Sequence, residues 1–159
     1  MQTAVSLADL LAQEIRGVGA FNELLREEQQ LLVSAGNADA LMPLADRKSQ
    51  LAQRLKAISD QREHYLSARG FRPGREGMEA ALAASPQAAA LKAQWQELLA
   101  LAKEAHGLNE TNGKLINVHW QHNQKALAAL MSAADGAMVY GPDGQQTGSA
   151  GGRRFLSSA

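Results

Sequence analysis

The sequence predicts an all-α protein: an elongated, antiparallel three-helix bundle, coiled-coil-like, with a flexible C-terminal tail. Three observations lead there. Apolar residues recur in steps of three, four and seven over three long stretches, the period of one helical face. The apolar content is 45% while aromatics make up only 4%, an Ala/Leu mixture that suits helix packing rather than the Val, Ile, Thr and aromatic mixture of sheets. Clusters of Gly, Pro and Asn separate the periodic stretches. At 159 residues the chain has the length of one domain with a sizeable core.

The first helix is expected over Ser6 to Ala35. Leu7, Leu11, Val18, Phe21, Leu25 and Leu32 form its stripe, widened by Leu10, Leu24 and Leu31. "AGNADALMP" then interrupts the pattern: Gly36 terminates, Asn37 and Asp39 are candidate N-caps, and Pro43 falls near the first turn of the second helix. In that helix Leu41, Leu44, Lys48, Leu51, Leu55, Ile58, Arg62 and Tyr65 keep an alternating 3–4 rhythm. Lys48 and Arg62 occupy the seam, where their stems are expected to pack while their charged heads reach water.

Gly70 ends this helix, and "RGFRPGREG" reads as a loop, followed by a short helical turn, "MEAALAA". Ser85 is the N-cap and Pro86 the first position of a third long helix. Its seam runs Leu91, Trp95, Leu98, Ala102, Ala105, Asn109, Asn112, Ile116, His119, Asn123, Ala126, Leu130, to about Ala134. Gly107 and Gly113 each cost about 1 kcal/mol against Ala inside a helix, so a kink or a close contact is expected there. Residues 1–135 are thus the bundle. Residues 136–159 hold six glycines, one proline and a single apolar cluster, Met138–Val139–Tyr140, and read as a tail with too little apolar surface to order by itself. The turn signature Gly141-Pro142-Asp143-Gly144 comes directly after the cluster.

Formal charge excludes several functions. Sixteen basic and sixteen acidic residues balance to zero, which disfavours gripping nucleic acid or anionic lipid. Cysteine is absent, so disulfides and thiolate metal sites are excluded. No apolar run reaches the roughly 18 residues of a membrane span, the first residues lack the basic start of a signal peptide, and a cytoplasmic location is expected. His119 and His122 stand three apart without the further ligands that a helical zinc site needs. The glycine-rich tail lacks the Gly-Lys-Ser/Thr ending of a phosphate loop. No nucleophile–base pair is evident. The expectation is a protein without enzymatic activity, cofactor or metal.

One segment resists the helical pattern. "NETNGKLINVHWQHN", residues 109–123, has Asn109, Asn112 and Asn123 on the seam and Asn117 off it. A polar residue in a seam lowers stability but discriminates between registers and partners. Two readings stand open. Either these amides satisfy each other or water at a wet end of the bundle, or this part of the helix is only partly covered. In the second case it presents amides together with Leu108, Leu115 and Ile116 to another chain's helix.

The pattern Asn109-x-x-Asn112-Gly113-x-Leu115-Ile116, with Tyr140-Gly141-x-x-Gly144 downstream, resembles the FlgN family of flagellar export chaperones. "DRKSQLAQRL", "REHYLSARG" and Trp95 support the match along nearly the whole chain. The resemblance implies a cytoplasmic chaperone of the flagellar type III export system. Such a chaperone binds hook–filament junction (hook-associated) proteins, prevents their premature self-assembly and delivers them to the export gate. The client site is then expected at Asn109, Asn112, Leu115, Ile116, His119 and Asn123 with Met138, Val139 and Tyr140 of the tail. Tyr140 is also the expected contact with an export-gate component. The tail cluster equally fits an intramolecular cap that client displaces. The competing reading of the residues alone is a scaffolding coiled coil that self-associates through an exposed seam.

Overall fold

The computed structural model describes residues 5–34 and 38–139, with side chains as far as residue 133. Four helices and no strand occur among the described residues: α1 Leu7–Val33, α2 Ala38–Ser67, α3 Gly74–Ala84 and α4 Ala88–Val139. The expected three-helix count is therefore corrected to four. The chain divides into two units, up to Ile116 and from Asn117 on.

Within the first unit, cross-helix contacts give the directions. Glu14 meets Arg62, and Glu28 meets Lys48, so α1 and α2 are antiparallel. Gly17 lies between these pairs, where an added Cβ would sit 2.7 Å from the Leu55 side chain, so the two helices approach closely there. Gln94 reaches Ala8, Asn22 reaches Leu101 and Asn112 reaches Leu25, so α1 and α4 run parallel.

Each helix end has a local cause. Ser6 caps α1 by accepting from the Asp9 amide at 3.1 Å, and Asp9 returns the bond to the Ser6 amide at 3.2 Å. The Ser6 hydroxyl, then its amide, hold the Asp9 carboxyl below its usual range. Pro43 is the sixth residue of α2, so only one early backbone bond, to the Asp39 carbonyl, is forfeited. At the other end Gly70 adopts φ +82°. Phe71 N–H bonds to the Leu66 carbonyl at 3.1 Å and Gly70 N–H to that of Ser67 at 3.0 Å, a Schellman closure in which Phe71 packs on the cluster containing Leu66. Ser85 Oγ accepts from Gln87 N–H at 3.2 Å, so the expected cap at the start of α4 is present, with regular helix from Ala88.

The stretch expected to be a loop through Gly77 becomes helical at Gly74. Gly77 is not there to break a helix. A Cβ at that position would lie 1.6 Å from the Arg72 carbonyl oxygen, so glycine lets α3 fold back on its own leading segment. This places Met78, Ala81 and Leu82 in the core with Leu7, Leu11, Leu66, Leu91, Trp95 and Leu98.

Arg62 also departs from expectation. Its guanidinium is buried instead of reaching water. Nε donates to Glu14 at 2.8 Å and Nη1 to Glu63 at 2.8 Å, and the group lies 5.3 Å from the Trp95 ring centroid. The other Glu63 oxygen accepts from the Gly74 amide at 3.0 Å. One cation thus joins α1, α2 and α4 and, through Glu63, the start of α3.

Gly107 and Gly113 lie in uninterrupted α-helix, and an added Cβ at either meets nothing within 4 Å. The expected close contact is therefore absent at both. Gly107→Ala is expected to raise the unfolding free energy by about 0.5–1 kcal/mol through helix propensity alone. Urea unfolding followed by circular dichroism checks this; a loss of stability would mean that the glycine serves something beyond the backbone.

Candidate docking face

Asn112 resolves the puzzle of its amide-rich segment. It is completely buried, and its Nδ2 donates to the Leu25 carbonyl and to Glu28 Oε2, both at 2.8 Å. Lys48 of α2 donates to the same carboxylate oxygen at 3.2 Å. A single amide therefore ties α4 to α1 and, through Glu28, to α2. Asn22 makes the reciprocal arrangement from α1: its Nδ2 donates to the Leu101 carbonyl at 3.1 Å and to Glu104 at 3.2 Å, while Arg26 pairs with the other Glu104 oxygen. Side-chain amides offer directional bonds at fixed positions, so these two rungs set the α1–α4 register where leucines would allow sliding. The Asn112 amide bonds neither another asparagine nor a wet end; it bonds α1. Asn112 consequently lies inside the bundle.

The other expected residues of the first unit are more accessible. Asn109 is exposed, Leu115 half-buried and Ile116 45% exposed. Beside them Glu110 pairs with Lys114 at 2.9 Å, and that bond holds its carboxyl below the usual range. The nearest surface charges are thus matched to each other.

From Asn117 on, taken separately, His119 is half-buried and Asn123 exposed. Met138 and Val139 fall in the last turn of α4, but their side chains lie outside the described ones, and Tyr140 and the rest of the expected tail lie outside the described residues.

The expected seam holds Leu130, itself 69% exposed, but not the large apolar side chains that are left in water beside it: Trp120 (60% exposed), Leu127 (58%) and Met131 (61%). Leu127, Leu130 and Met131 stand seven, ten and eleven residues after Trp120, which places all four on one side of α4. Asn123 sits among them, three residues after Trp120 and four before Leu127. Val118, also exposed, points elsewhere by the same geometry. Trp120 was the available signal. A tryptophan in an amide-rich stretch, one step off the expected seam, marks a second stripe next to the first.

Chemically this face has little beyond apolar area and one amide. Among the described residues no group of three or more His, Cys, Asp or Glu could hold a metal ion, and no helix is long and apolar enough to cross a membrane. The arrangement can bury apolar surface against a partner and can hydrogen-bond at one central point.

The chain is similar to flagellar proteins. Residues 1–148 match the family model described as FlgN protein. A flagella synthesis protein FlgN of Yersinia enterocolitica is 30% identical over 142 residues, 87% of each chain. A second such protein, from Yersinia enterocolitica serotype O:8 / biotype 1B, is 42% identical over 59 residues, 37% of this chain and 40% of that one. The crystal structure at 1.48 Å of a protein assigned to flagella synthesis as FlgN, from Pseudomonas aeruginosa, superposes with a TM-score of 0.65 at 28% identity. It covers 74% of this chain and 91% of that one.

Proposed function

This chain belongs to the FlgN family, and on that premise we propose that it is a cytoplasmic chaperone of flagellar protein export. In this reading it binds hook–filament junction proteins, keeps them from assembling early and hands them to the export gate. It does so by reversible burial and without catalysis. The observation that carries the reading is the row of Trp120, Leu127, Leu130 and Met131, all more than half exposed. Full burial of such a side chain contributes about 1.5–3 kcal/mol, so four together supply a useful affinity once the entropy of association is subtracted. Trp gives rigid contact area, and Met adapts to differing shapes. Met138, Val139 and Tyr140 continue the apolar series in sequence, and Tyr140 is the proposed contact with the export gate.

The test is size-exclusion chromatography with light scattering, with and without a hook–filament junction protein. A defined small complex is expected. Trp120→Ala together with Leu127→Ser should weaken it by about 2 kcal/mol or more while leaving helical circular dichroism unchanged, because both side chains are solvent-exposed. Growth into large assemblies without client would favour a scaffolding protein instead.

A further inference from the structure

We infer that the face formed by Trp120, Asn123, Leu127, Leu130 and Met131 is matched to a partner helix whose own contact surface carries no formal charge. We further assign Asn123 as its specificity-determining position. This rests on the chaperone reading above and specifies the chemistry of the client.

Two observations carry it. Between Asn117 and Met131 the only permanently charged residue is Lys125, and at 100° per residue it lies about 160° around the helix from Leu127. From Trp120 to Met131 the docking face therefore holds no permanent charge, and His119, four residues before Asn123, borders it. An acidic or basic side chain pressed against it would lose hydration and find no counter-charge, a penalty that excludes charged helices. Ion pairing cannot choose among the neutral ones, so the choice falls to shape and hydrogen bonds.

Asn123 is exposed and occupies the middle of the apolar row. Covered by leucine on a partner, its amide would be desolvated with nothing to bond. Covered by an amide or hydroxyl, it pairs and fixes the register. A residue of this kind lowers affinity for apolar helices in general and retains it for the matched one.

The experiment measures the affinity of the full chain, wild type and Asn123→Leu, for two probes. One is a full-length hook–filament junction protein; the other is an amphipathic Leu/Ala peptide whose apolar face has no polar residue. Both are titrated at low and high NaCl. For the wild type and the junction protein, Kd should change by less than about twofold with salt. Asn123→Leu should bind the plain peptide about tenfold more tightly and lose preference for the junction protein. A Kd rising steeply with salt, or an unchanged preference in the variant, overturns this inference while leaving the chaperone reading intact. No complex between wild type and junction protein at any salt overturns that reading as well. A dimer of the isolated chain, tightened by Asn123→Leu, would assign the face to a second copy and overturn the proposed client chemistry.

Discussion

Replacing Arg62 by Leu is expected to lower the unfolding free energy by about 3–5 kcal/mol and the thermal midpoint by about 10 °C or more. The effect comes from the groups left behind. Glu14, 4% exposed, would keep a carboxylate in the bundle with no cation. Glu63 would lose the bond that holds it between Arg62 and the Gly74 amide, and Trp95 would lose the guanidinium over its ring. Removing both charges together, as Glu14→Leu with Arg62→Leu, should recover much of the loss, since a paired buried charge contributes far less than an unpaired one costs. Urea denaturation of the wild type and the two variants measures this. A single-variant loss below about 1 kcal/mol would show that Glu14 is hydrated or otherwise partnered in solution.

Gly77→Ala should be nearly as damaging. A methyl group 1.6 Å from the Arg72 carbonyl oxygen has no flexible side chain to displace, only backbone. The leading segment must move, or α3 must leave its place in the core beside α1, α2 and α4. Strain of this sort costs about 3 kcal/mol, and release of Met78, which is completely buried, adds to it. Near-ultraviolet circular dichroism should report loosened packing around Trp95 while far-ultraviolet signal falls little, because α3 is only 11 residues long. A stable Gly77→Ala variant with unaltered near-ultraviolet signal would contradict the packing described for α3.

These two positions also show how far the sequence alone could be read. The long helices were legible because burial against neighbouring helices enforces a 3–4 period that loops do not mimic. Gly77 was not, since composition cannot separate a glycine that breaks a helix from one that admits a close carbonyl. The 3–4 rhythm puts Arg62 in the seam, where the fold buries it. Its partner was invisible, because Glu14 is distant in sequence and reaches it only across α1 and α2.

The docking face divides in the same way. The seam position of Asn112 was readable, but its acceptors on α1, Leu25 and Glu28, depend on which helix lies opposite. A strict 3–4 rhythm continued past Asn112 passes over Trp120, Leu127 and Met131. Trp120 and Met131 are separated by 11 residues, a spacing closer to the 3.6-residue turn of a straight helix than to a supercoiled seam. Where large apolar side chains of a helix face water, the coiled-coil period no longer says which face is outward.

On the proposed function, client covers Trp120. Only two tryptophans are present, and Trp95 is buried, so Trp95→Phe leaves Trp120 as the sole reporter. Its emission and acrylamide quenching are to be followed while a tryptophan-free hook–filament junction protein is added. A blue shift with a marked fall in quenching at stoichiometric client is the predicted result. A complex that forms while Trp120 stays as wet and as quenchable as before would contradict it.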